Sequence, residues 1–129
     1  MVEFARGRGH PRIGVAFCVG MLAEAQQLGR VLEKAGLMPH LVWRRVGAID
    51  YAAIGLPKAH PERFAAICNP VARARLLALA NVELVVQMGL CSGHDLILQE
   101  PSRIPVTTLV VKDRALDHHP VRALRPDGA

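Results

Sequence analysis

Apolar positions along the chain follow two different periods. Ile13–Phe17, His40–Trp43, residues 83–88 and Val106–Val111 are short apolar runs enriched in β-branched residues, the pattern of buried strands. The second of these is expected to run on towards Val46. After the first run, Met21, Leu22, Ala25, Leu28, Val31, Leu32 and Ala35 recur at three- and four-residue steps. That spacing lines one face of an amphipathic helix, and Gly36 is a natural stop for it. Val71–Ala80 predicts a second helix, with Asn69 suited to the N-cap and Pro70 to the first helical position. A third helix begins near Gly93, where Ser92 and Asp95 have the spacing of a capping box, a structural role for Asp95. Between Gly47 and Ile67 the periodicity dissolves. A loop of that length in a compact domain either hides a short helix or serves a site. Phe64–Ile67 has the composition of a brief strand that delivers Cys68.

Strand and helix alternate through most of the chain. The expectation is an α/β fold, a three-layer sandwich with a mainly parallel sheet of four or five strands. Residues 12–124 form its single domain, with residues 1–11 as a loose arm and 125–129 as a frayed tail. Right-handed crossovers bring the carboxyl ends of all strands to one edge, where open α/β sheets bind ligands.

Composition narrows the partners. No stretch approaches ~18 apolar residues, and the first residues are too polar for a signal peptide, so the expected setting is a reducing cytoplasm with no membrane span. The formal charge is +5, but the arginines are scattered and no aromatics interleave them. That argues against nucleic acid and for a solvated surface, while the cysteine pattern points to a small-molecule ligand, sulfur-containing or anionic.

The three cysteines are not scattered. Cys18-Val19-Gly20, Cys68-Asn69-Pro70 and Cys91-Ser92-Gly93 each place a cysteine just before a predicted helix, followed by one residue and then Gly or Pro. A helix N-terminus favours thiolate over thiol. Cys18, Cys91 and the charged pair Lys112-Asp113 come after strands and so share the functional edge, and the long loop supplies Cys68 to it. Familiar alternatives are absent: no G-x-G-x-x-G, no P-loop, no C-x-x-C, and no arginine six residues after any cysteine.

Taken in order, Ile13–Gly20, Cys68-Asn69-Pro70, Gly89-Leu90-Cys91-Ser92-Gly93-His94-Asp95, Pro105–Arg114 and His118-His119-Pro120 resemble the domain-of-unknown-function 1847 family. The resemblance covers about residues 12 to 124, and it implies a metal-binding protein whose reaction is not known. Two differences stand out. Family members often carry a cysteine-rich segment before the first strand, and this chain has no cysteine before Cys18. The family usually shows His-Asn-Pro where this chain has His118-His119-Pro120.

Three readings stay open. In the first, Cys18, Cys68 and Cys91 bind a metal and leave one position for substrate, as an iron–sulfur cluster with a free iron or as zinc. In the second, Cys91 is a nucleophile with His94 as its base, carrying out thiol or sulfur transfer without metal. In the third, the chain is a metal or redox sensor, or a binding module. Asp113 and His118 join Cys91 and His94 as candidate catalytic groups. His10, His40 and His60 are expected to face solvent.

Overall fold

A computed structural model describes residues 1–43 and 45–125. Its elements run α1 (Val2–Arg8), β1 (Arg12–Phe17), α2 (Leu22–Lys34), β2 (Met38–Trp43), α3 (Pro70–Leu79), β3 (Leu84–Met88), α4 (His94–Gln99) and β4 (Val106–Val110), with short 3₁₀ turns at 19–21, 51–54 and 120–124. The four strands form one sheet in the order β2-β1-β3-β4. Every pairing in it is parallel.

Side-chain alternation sorts the core into two halves. Ile13, Val15 and Phe17 of β1 and Leu84, Val86 and Met88 of β3 point to one face, where they meet Ala5 of α1 and Ala25 and Leu32 of α2. Ala16 and Val85 point the other way, onto Ala74 and Leu77 of α3 and Leu98 of α4. The central strands are therefore buried on both sides, which is why they read as nearly unbroken apolar runs. Each fully buried aliphatic side chain contributes about 1.5–3 kcal/mol. The expected α/β class and parallel three-layer arrangement are present, with four strands.

Local signals set most boundaries. Asn69 Oδ1 accepts the Ala72 N–H at 3.0 Å, capping α3 with Pro70 at its first position. The stretch after β2 holds a one-turn 3₁₀ helix, capped by Asp50, and one antiparallel bridge between Asp50 and Ala66. It hides a turn of helix, and the brief strand expected at 64–67 is reduced to that bridge.

Three expectations are corrected. Residues 2–8, within the expected loose arm, form α1. The helix ends at Gly9 (φ 67°), and Ala5 is fully buried. Seven residues are too few for a stable isolated helix, so tertiary packing decides here, aided by Arg6 donating from Nε to the Ala35 carbonyl at 3.1 Å. The capping box at Ser92 does not form either: Gly93 is the N-cap of α4. Strand β2 ends at Trp43, short of Val46. Most of the expected frayed tail, residues 126–129, lies outside the described residues, as does Arg44. No helix among the described residues is long and apolar enough to cross a membrane.

Candidate functional site

Strand β1 connects outwards to β2 on one side of the sheet, and β3 connects to β4 on the other. The carboxyl ends of β1 and β3 thus flank the topological switch point, where diverging connections leave a crevice. Cys18 ends β1. Its N–H donates to the Met88 carbonyl at 3.2 Å, its carbonyl accepts from Met21 at 2.9 Å, and the residue is only 3% exposed.

Cys91 reaches the same place through two glycines. Gly89 has φ 59°, and a Cβ there would lie 2.6 Å from Met21 Sδ, so neither the turn nor the packing admits a side chain. Gly93, at φ 91°, reverses the chain into α4. Between them the Cys91 carbonyl accepts the N–H groups of His94 at 2.9 Å and Asp95 at 3.2 Å. Asp95 Oδ1 in turn accepts from Gly93 at 2.9 Å and Leu96 at 2.8 Å. Cys91 is half-buried and sits in a turn tied down on both sides.

Lys112 joins the two cysteines. Its Nζ lies 3.2 Å from Cys18 Sγ and 3.2 Å from Cys91 Sγ. The two sulfurs are therefore no further apart than two such contacts. A register shift in the β3–β4 pairing sets this up: Gln87 pairs with Thr108, but Met88 pairs with Val110. A bulge re-aims the side chains beyond it, and Lys112 lies two residues past this one. Partial burial pulls the Lys112 pKa down, but hydrogen bonds to Cys91 and Cys18 and the attraction of the two sulfurs outweigh it, leaving the pKa raised above an ordinary lysine's.

Beside Lys112 is a cavity of about 110 Å³ whose lining includes Gln87, Ser92, Asp95, Thr108 and Lys112. Gln87 is only 2% exposed, and its Nε2 donates to Thr108 Oγ1 at 2.6 Å. Its Oε1 is buried with no hydrogen-bond partner among the described residues. A larger cavity, about 420 Å³, lies in the 51–65 region against Tyr51, Lys58, His60, Arg63 and Phe64. No cysteine lines either cavity, but Lys58 at the larger one is committed to Asp50 and the Arg63 carbonyl, whereas the smaller one is lined by Lys112, which contacts both cysteines, and by Leu90 and Ser92 on either side of Cys91.

The other predicted site residues take different places. Cys68 is half-buried directly before the cap of α3, a helix that starts at the same edge of the sheet. His94 opens α4, half-buried, and its backbone N–H goes to Cys91. Asp113 and His118 close the turn after Lys112. Asp113 Oδ1 accepts from Ala115 and Leu116 at 3.1 Å each, and the Asp113 N–H donates to His118 Nδ1 at 3.1 Å. Their visible work is to fix the segment carrying Lys112.

Among the described residues, no three His, Cys, Asp or Glu side chains are gathered as one metal ion requires. The position facing both Cys18 and Cys91 is held by an ammonium group. As arranged, these residues do not fit a three-cysteine metal centre. Sequence reasoning placed Lys112 on this edge but missed its place between the cysteines, and it missed Gln87 altogether. One signal for Gln87 was there: a lone amide inside the apolar run Leu84-Val85-Val86-Gln87-Met88.

Fold and site define a parallel α/β protein with a cysteine–lysine cluster at the switch point of its sheet. The chain belongs to the family described as "Protein of unknown function (DUF1847)", whose model matches residues 1–109. The matched range includes Cys18, Cys68, Cys91 and Gln87, and Lys112 lies just beyond it. An uncharacterised protein of Methanocaldococcus jannaschii, MJ0455, is 35% identical over 124 residues, covering 96% of this chain. The chain spans 64% of that relative's length. No solved structure matches the chain.

Proposed function

We propose that this edge is a thiol-transfer site, with Cys91 as nucleophile and Lys112 as the cation placed against its sulfur. The observation that carries the reading is the single ammonium shared by Cys18 Sγ and Cys91 Sγ. An adjacent cation favours the thiolate, which is the reactive form. Cys91 is the more accessible of the two, half-buried where Cys18 is buried. The thiolate of Cys91 attacks one sulfur of a small disulfide, R–S–S–R. A Cys91–S–S–R bond forms as the substrate's S–S bond breaks, and R–S⁻ leaves to take a proton from water. The substrate is reduced and the protein thiol oxidised, so no other reactant is needed. Attack by Cys18 on Cys91 Sγ would release the second R–S⁻ and leave a Cys18–Cys91 disulfide.

The experiment is thiol exchange of the reduced chain with a small disulfide, then measurement of the mass of each cysteine peptide. The expected result is a fast adduct at Cys91 that Cys91→Ser abolishes. Reaction at Cys91 no faster than at Cys68 contradicts the reading.

Iron–sulfur or zinc binding by Cys18, Cys68 and Cys91 is the second reading, favoured by two sulfurs facing one cation and by all three cysteines sharing an edge. It needs Lys112 to withdraw and Cys68 to close in. Chain prepared anaerobically with iron and sulfide, or with zinc, would then retain stoichiometric metal and lose it on Cys68→Ser.

A further inference from the structure

Resting on the thiol-transfer reading, we infer that the cavity beside Lys112 recognises the amino group of a small aminothiol, with Gln87 and Asp95 as the groups that receive it. A buried amide oxygen without a partner is costly by about 1–3 kcal/mol, so a ligand that donates to Gln87 Oε1 recovers an interaction the fold leaves open. Gln87 lines the cavity while only 2% of its surface is exposed, and its Oε1 is the unpartnered atom. Asp95 also lines it. Its Oδ1 takes two backbone N–H groups, which leaves Oδ2 to receive a ligand.

The lining carries one charge of each sign, Lys112 and Asp95. The Lys112 ammonium is engaged with two sulfurs, so the groups left open to a ligand are the acceptors Gln87 Oε1 and Asp95. A cavity of about 110 Å³ has room for several water-sized groups and so admits a small ligand such as a two-carbon thiol with a terminal amine. Cys91 does not itself line the cavity, but its neighbours Leu90 and Ser92 and its partner Lys112 do, so a molecule seated there lies beside Cys91. A carboxylate in the amine's place would face the acceptors Gln87 Oε1 and Asp95.

The test compares Cys91 adduct formation from 2-aminoethyl, 2-hydroxyethyl and carboxymethyl disulfides, each rate divided by that at Cys68 in the same chain. The expected order is amino, then hydroxy, then carboxy, with about tenfold between the first and last, as one charge-assisted hydrogen bond implies. Gln87→Met should remove most of that preference, and Gln87→Glu, which keeps the shape and adds charge, should keep or raise it. Equal rates with the three disulfides overturn the inference while leaving thiol transfer standing, as does a preference that Gln87→Met leaves unchanged. If none of the three reacts faster at Cys91 than at Cys68, the thiol-transfer reading fails and this inference with it.

Discussion

Replacing Lys112 with Met removes the charge between the two sulfurs and keeps most of the side chain's volume. The ammonium lies 3.2 Å from each sulfur. A bare Coulomb term at that distance with an effective dielectric of ~20 is about 5 kcal/mol, but the site is partly open to water, which screens it. A charge-assisted hydrogen bond nets about 1.5–3 kcal/mol, and the lower half of that range suits this site. Losing ~1.5–2 kcal/mol of stabilisation at the attacking sulfur corresponds to a factor of at most about 10–30. Part returns, because a sulfur whose electron pair is no longer drawn to a cation is intrinsically more nucleophilic, with a Brønsted slope of about 0.4–0.5. The net expectation is alkylation of Cys91 by iodoacetamide slowed about three- to sixfold, measured by peptide mass against Cys68 as internal reference. Lys112→Arg keeps the charge and should recover part of the rate, although its planar fork does not reproduce a point contact with two sulfurs. An unchanged or faster rate in Lys112→Met refutes the assignment of Lys112 as the group that activates Cys91.

Individual contacts have consequences of their own. Gly89→Ala forces a side chain into φ 59° and to within 2.6 Å of Met21 Sδ, so it should lower unfolding free energy by about 2 kcal/mol or more in a urea titration; an unchanged midpoint would remove Gly89 from the placement of Cys91. Asn69→Ala deletes the cap of α3 and should lower stability by about 1 kcal/mol in the same titration. The Asp50 carboxyl is held below its ordinary pKa by the backbone N–H groups of Ala65 and Ala52, against the opposing effect of burial, with further help from Lys58. Its folded pKa is below the unfolded one, so its contribution is complete above about pH 4 and is lost as pH falls through the lowered value. Stability measured from about pH 6 down to about pH 2 should fall less steeply in Asp50→Asn than in the parent chain. Parallel profiles would contradict the role given to Asp50.

Legibility in the sequence tracked the range of the interactions. Strands β1 and β3 and helices α2 and α3 announce themselves because burial on two faces, or on one helical face, imposes a period, and Asn69-Pro70 marks a helix start by local chemistry alone. The shared edge of Cys18, Cys91 and Lys112 comes from parallel topology, which the alternation of elements already implies. Helix α1 was not legible, since its seven residues carry no period of their own and depend on packing Ala5 into a core built from distant strands. The bond from Lys112 to both cysteines was not legible either, because it depends on a register shift between β3 and β4 that no local pattern records. The cysteine spacing suggested three metal ligands. Spacing places residues at an edge but does not set the direction of a side chain, and it gave no sign that the Lys112 ammonium would lie 3.2 Å from both Cys18 Sγ and Cys91 Sγ.

The central claim is that Cys91, which shares the Lys112 ammonium with the buried Cys18, is the reactive thiol of the chain. Its most direct test is site-resolved mass mapping of the reduced, metal-free chain after one equivalent of a small disulfide. The account predicts that the first adduct appears on Cys91 and then gives way to a Cys18–Cys91 disulfide, with Cys68 left as free thiol. First labelling at Cys68, or equal labelling of all three cysteines at the rate of the urea-unfolded chain, would contradict it.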